Sequence, residues 1–176
     1  MTSVFPGIGN REKVGKMLKT LLPALALGAL LAVFPVSGQA EEAYTVIKNG
    51  EIPSHVGKGE TFTGTVRREH FFRPTEDVPY GVSLVTFDPG ARTSWHTYPA
   101  GQRLIVTEGS GLTGTADGKV WEIKAGDVVW CPAGVKHWHG ASPTTAMQHL
   151  AIHGMKDGKM VDWMEEVTDE QYAGKK

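Results

Sequence analysis

Two short stretches concentrate side chains able to hold a metal ion or move a proton. The first is GARTSWHTYPAGQRLIVTEG, residues 90–109, and the second is GDVVWCPAGVKHWHGA, residues 126–141. On a strand, His96 and Tyr98 lie two apart and share a face. The Tyr98-Pro99-Ala100-Gly101 turn then brings Gln102 back towards them. His137 and His139 have the same spacing, behind a turn at Pro132, Ala133 and Gly134. Two antiparallel strands with inward imidazoles would place these groups around one point, which is the geometry of a metal pocket.

Further along, His149 and His153 lie four apart, with Ala151 between them on the same face. If that face is inward, two imidazoles meet a pocket whose gap alanine leaves open. Ser83, Val85 and Thr93 are expected to shape the pocket wall. For His139 and His153 the plainer alternative is an internal hydrogen bond within the fold. Trp95, Trp130 and Trp138 alternate away from the ligand face and are expected in an outer core layer or a dimer contact. Cys131, the one cysteine, precedes the Pro132 turn and is expected to be buried rather than reactive.

The two stretches resemble the paired motifs of cupins. Gly90, His96, Tyr98, Gln102 and Gly109 keep every spacing of the first motif, with Tyr98 in a His place and Gln102 in the Glu place. Gly126, Pro132, Gly134 and His137 keep the second, with Ala141 in the Asn place. Residues 61–172 are more closely similar to small bacterial manganese cupins with hydroxynitrile lyase activity. Those share the K-H-W-H-G-A and P-T-T-A-M segments, H-L-A-I, and a D-W-M-E-x-V-T-D-E-Q-Y tail.

The resemblance implies a metal set of His96, Gln102 and His137, with Gln102 offering a carbonyl oxygen. It implies that His149 is the acid/base group; the remaining pocket residues are expected to be Ser83, Val85, Thr93, His139 and His153. It implies a divalent metal, manganese first; imidazole suits iron, nickel and zinc as well. Tyr98 is the departure, because those proteins carry His there. A phenol is a poor ligand unless the metal itself removes its proton, so metal occupancy is expected to be weakened. Its plain alternative is an aromatic plug, hydrogen-bonded to Gln102 or to a water. Gln102 also removes the carboxylate of the two-histidine, one-carboxylate iron oxygenases, which argues against that chemistry.

The elements that must position these groups read as short strands. Alternation or turn punctuation marks residues 41–48, 61–66, 82–87, 93–98, 104–107, 112–115, 120–123, 127–131, 136–140 and 145–153. Residues 49–59 read as a loop. Val161, Met164 and Val167 are spaced for one helical face, giving a short C-terminal helix outside the barrel. Many short strands with turns between them, together with the motif likeness, give an all-β fold: a cupin double-stranded β-helix, or jelly roll.

Residues 1–40 read as a signal peptide. Arg11, Lys13, Lys16 and Lys19 precede an apolar run, and Ser37-Gly38-Gln39-Ala40 ends it with small residues suited to cleavage. A single membrane anchor is the other reading. Residues 41–60 would form an N-terminal arm and 61–176 the cupin domain. The near-neutral formal charge of −1 indicates no nucleic-acid surface. The expectation is an exported, periplasmic protein, homodimeric, acting on a small-molecule substrate. Its function would be that of a metal-dependent lyase on a small hydroxylated or carbonyl compound. The alternative is a non-catalytic periplasmic cupin that binds a small ligand, with or without metal.

Overall fold

A computed structural model describes residues 44–57 and 59–175. The signal-peptide expectation for residues 1–40 lies outside them. The described strands are β1 (Ser54–Gly57), β2 (Phe62–Thr63), β3 (Val66–Phe72), β4 (Tyr80–Phe87), β5 (Arg92–Thr93), β6 (His96–Thr97) and β7 (Gln102–Thr115). They continue with β8 (Val120–Lys124), β9 (Val128–Cys131), β10 (His137–Ala141), β11 (Met147–Gly154) and β12 (Asp162–Trp163), and a single helical turn, α1 (Asp169–Tyr172), ends the chain.

All pairings are antiparallel and fall into two sheets. One runs β1-β3-β4-β11-β7-β9, and the other joins β2, β5, β10, β7 and β8, with β6 between β10 and β12. Strand β7 belongs to both. Its first part pairs with β9 and β11, and its second part with β8 and β10. The change of sheet falls at Gly109, where φ is +72° and a Cβ would run into the Ala146 carbonyl oxygen. Only glycine satisfies both conditions at that corner.

Period-two alternation makes the barrel interior. On β4, Ser83, Val85 and Phe87 are buried; on β11, Met147, His149 and Ala151 are. Register sets them side by side: His149 pairs with Val85 and Val106, Ala151 with Ser83 and Leu104, and His153 with Gln102. Phe62, Val66, Phe87, Leu104, Val106 and Met147 form the apolar end of that interior. A second apolar cluster holds Trp95, Trp138, Val167 and Tyr172.

Several sequence expectations are corrected. The described part of the first expected strand, residues 44–48, carries no regular structure, and Tyr44, Val46 and Ile47 are exposed there. Within the expected loop 49–59, β1 pairs with β3, so the arm shares a sheet with the barrel. Residues 104–107 and 112–115 are one continuous strand. The expected helix over 161–172 shrinks to α1. The backbone before it is drawn into pairing with β6, where Trp163 lies opposite His96, and Met164 and Glu165 bond to Trp95. The remaining turn is fixed by a Thr168–Gln171 capping box, by Tyr172 Oη donating to the Ala141 carbonyl at 2.7 Å, and by buried Arg92. That arginine donates to the Val167 carbonyl and the Asp169 carboxylate. Trp95 and Trp138 are buried, in keeping with an outer core layer, and Trp130 is exposed.

Candidate metal and substrate site

His96 and His137 face each other across the β6–β10 pair, their ring centroids 4.3 Å apart. Each has Nδ1 against a backbone carbonyl two residues earlier: His96 to Ser94 at 2.9 Å and His137 to Val135 at 2.8 Å. A neutral imidazole that donates from Nδ1 carries a lone pair on Nε2. The His96 Nε2 is buried with no partner, and His137 Nε2 lies 3.1 Å from Gln102 Oε1, itself an acceptor. Three lone pairs therefore converge in a buried place. Backbone carbonyls that fix the outer nitrogen are the arrangement that orients histidine ligands.

Electrostatics keep these rings neutral. Burial, assisted by the neighbouring His137, pushes the His96 pKa down to about 3. Burial also lowers His137, against the opposing pull of the Val135 carbonyl. His139 is driven well below its ordinary value by burial and by the His149, His96 and His137 rings, and burial takes His149 down to about 4. Neutral rings keep their lone pairs available at neutral pH. His96, His137 and His139 have ligand nitrogens within 4.8 Å of one another, all three are buried, and together they could hold a metal ion. The orphaned His96 nitrogen and the facing acceptors of His137 and Gln102 fit a divalent cation, which would satisfy all of them at once.

Tyr98 is buried beside this cluster. Its ring stacks on His153 (centroids 5.6 Å apart, planes at 16°) and meets His96 edge-on at 5.5 Å. Burial raises the phenol pKa above its ordinary value, with Arg68 opposing. The hydroxyl does not bond to Gln102, whose Oε1 is turned to His137 instead. The plug half of that expectation stands, and the bond to Gln102 does not.

A cavity of about 120 Å³ opens on one side of the cluster. All five expected wall residues, Ser83, Val85, Thr93, His139 and His153, line it, with Tyr98 and Gln102. His149 does not. It is fully buried behind His139, with its Nε2 3.1 Å from His139 Nδ1 and its ring against Phe87. Sequence reasoning missed several wall residues: Arg68, His70, Phe72, Arg73, Met160, Val161 and Trp163. The signal for two of them was present, since Val66, Arg68 and His70 alternate on one face of a strand. His70 Nδ1 lies 2.9 Å from Ser83 Oγ across the β3–β4 pair. Cys131 is buried as expected, and burial raises its thiol pKa to about 12, so it stays protonated and unreactive.

A nearly closed antiparallel barrel with histidines gathered inside it is the arrangement of a cupin. Residues 83–153 match the Cupin domain, and the chain belongs to the cupin family. It is 56% identical over 123 residues to the (R)-mandelonitrile lyase of Granulicella tundricola, a match covering 70% of this chain and 94% of that protein. Among solved structures it is similar to a cupin-like protein from Thermotoga maritima MSB8. The two are 35% identical, with a TM-score of 0.63, over 73% of this chain and 95% of that one. The polyketide cyclase RemF of Streptomyces resistomycificus shares the fold at 13% identity, with a TM-score of 0.57, over 74% of this chain and 91% of that one.

Proposed function

We propose that this chain is a metal-dependent lyase that splits small cyanohydrins into a carbonyl compound and cyanide. The observation that carries the reading is His139: it lines the cavity, sits beside the converged lone pairs, and touches buried His149 at 3.1 Å. The name of the Granulicella relative supports it. His96, His137 and Gln102 would hold the metal, and manganese is the choice that the sequence resemblance implies. When bound, a divalent cation supplies Lewis acidity towards a substrate oxygen.

The chain's own residues supply the rest. With Nδ1 engaged by His149, His139 has Nε2 left for the cavity side. There it accepts the hydroxyl proton, while its Nδ1 proton passes to His149 Nε2. The bond to the nitrile carbon breaks, its electron pair leaves with cyanide, and the former hydroxyl carbon becomes the carbonyl. The proton then returns through His139 to cyanide. Ser83, Val85, Thr93 and His153 shape the space around the substrate.

The test is cyanide release from (R)-mandelonitrile. Protein loaded with manganese should be active, chelator-dialysed protein should lose most of that activity, and added metal should restore it. No cyanide release with any divalent metal would favour the second reading, a non-catalytic ligand-binding cupin.

Tyr98 makes a further prediction. Tyr98→His would add an imidazole beside His96 and His137 and remove a phenol whose burial resists ionisation. The variant is expected to retain more divalent metal through dialysis than the parent, by about tenfold in affinity or more, on the scale by which supporting groups alone shift metal binding. Equal retention, measured by elemental analysis, would show that Tyr98 does not limit the site.

A further inference from the structure

Among the described residues, the cavity wall carries two arginines and no acidic side chain. Arg68, on β3, and Arg73, just beyond it, both line the cavity, and its described lining includes neither Asp nor Glu. Arg68 lies with its guanidinium over the Phe62 ring at 5.1 Å, and its buried Nε has no hydrogen-bond partner. Its neighbour Arg67 points the other way and pairs with Asp88 at 3.0 Å. Alternation along β3 thus gives the outer arginine a carboxylate and leaves the inner one without. Among the described residues, the ion pairs engage neither Arg68 nor Arg73.

A guanidinium turned towards a pocket with an unmet donor is costly unless something anionic meets it. Its planar fork suits a carboxylate. Both arginines act on one place: burial lowers the His70 pKa, and Arg73 and Arg68 lower it further. Across the cavity lie His139 and Gln102, beside the histidine cluster. Phe62, Phe72 and Trp163 supply apolar walls.

We infer that the cavity selects compact ligands bearing a carboxylate, which Arg68 holds with Arg73 at the mouth, while a hydroxyl or carbonyl oxygen meets the histidine end. The inference rests on the cavity being the substrate site and adds a second ligand class beside the neutral cyanohydrins: small 2-hydroxy or 2-oxo carboxylates, which would compete with them for the same space.

The experiment compares (R)-mandelate with its neutral analogue (R)-mandelamide by titration calorimetry, using metal-loaded protein of verified metal content. Mandelate is expected to bind at least tenfold more tightly. Arg68→Gln should weaken mandelate at least tenfold while changing mandelamide by less than twofold, and Arg68→Lys should recover part of the loss. Arg73→Gln should weaken mandelate by a smaller factor, because that residue is exposed. Equal affinity for the two compounds would overturn the inference, as would an Arg68→Gln variant that weakens both alike. The lyase reading is decided separately by cyanide release from the parent protein. A protein that binds mandelate through Arg68 but releases no cyanide would therefore sink the lyase reading alone.

Discussion

Alanine at His139 is expected to reduce turnover of (R)-mandelonitrile by about 10²- to 10⁴-fold, the usual contribution of a positioned general base, while metal content stays that of the parent. In the proposed reaction this ring is the single link between the cavity and His149, which is fully buried and absent from the cavity wall. Alanine at His149 should therefore lower turnover less, since His139 can still exchange its proton with the substrate. It should also change the pH profile of kcat, because the partner that takes the Nδ1 proton is gone. His139 also lies within 4.8 Å of His96 and His137, and that proximity favours a competing role as a third imidazole ligand. Elemental analysis separates the two: loss of metal from His139→Ala would make it a ligand, and retained metal with lost turnover would make it the base.

Acid should destabilise the chelator-treated protein by about 4 kcal/mol between pH 6.5 and 4.5. The sign follows from where the protons go. His96 and His149 are held neutral in the folded chain down to about pH 3 and 4, whereas in the unfolded chain each titrates at its ordinary value of 6.5. Below pH 6.5 the unfolded chain binds two protons that the folded chain refuses. Stability present above pH 6.5 is thus lost as pH falls towards the folded values, at up to about 1.4 kcal/mol per unit for each ring. Folded domains commonly have only about 5–15 kcal/mol to lose, so the effect should be large. Urea midpoints at pH 6.5, 5.5 and 4.5 measure it directly. A flat midpoint would mean that these rings are charged in the folded state.

Much of the site was legible because strand periodicity is strict. The i, i+2 spacing of His96 with Tyr98 and of His137 with His139, and the i, i+4 spacing of His149 with His153, translate directly into one inward face. The five expected wall residues do meet at one cavity. Tertiary placement decides what spacing cannot. His149 and His153 share a face, yet one lies against His139 and the other on the cavity wall. The C-terminal segment misled because Val161, Met164 and Val167 fit a helical period, while unpaired backbone on β6 competed for the same residues and won. Arg68 and His70 were passed over because the expected strand ended at residue 66, whereas β3 runs on to Phe72, and charged residues are usually solvent-facing. Nothing local announces that the solvent side there is a cavity.

The place of β11 in its sheet has a consequence for the order in which the protein is made. Strand β4 and the first part of β7 both pair with it, yet β11 follows β7 by more than thirty positions in the chain. During synthesis, β4 and β7 are complete while the strand that belongs between them has not emerged. Each then offers a bare edge able to pair with another chain. The last strand to enter that sheet is also the one that brings His149. Closing the sheet and completing the histidine cluster are therefore one event, and a nascent chain halted before Met147 has neither.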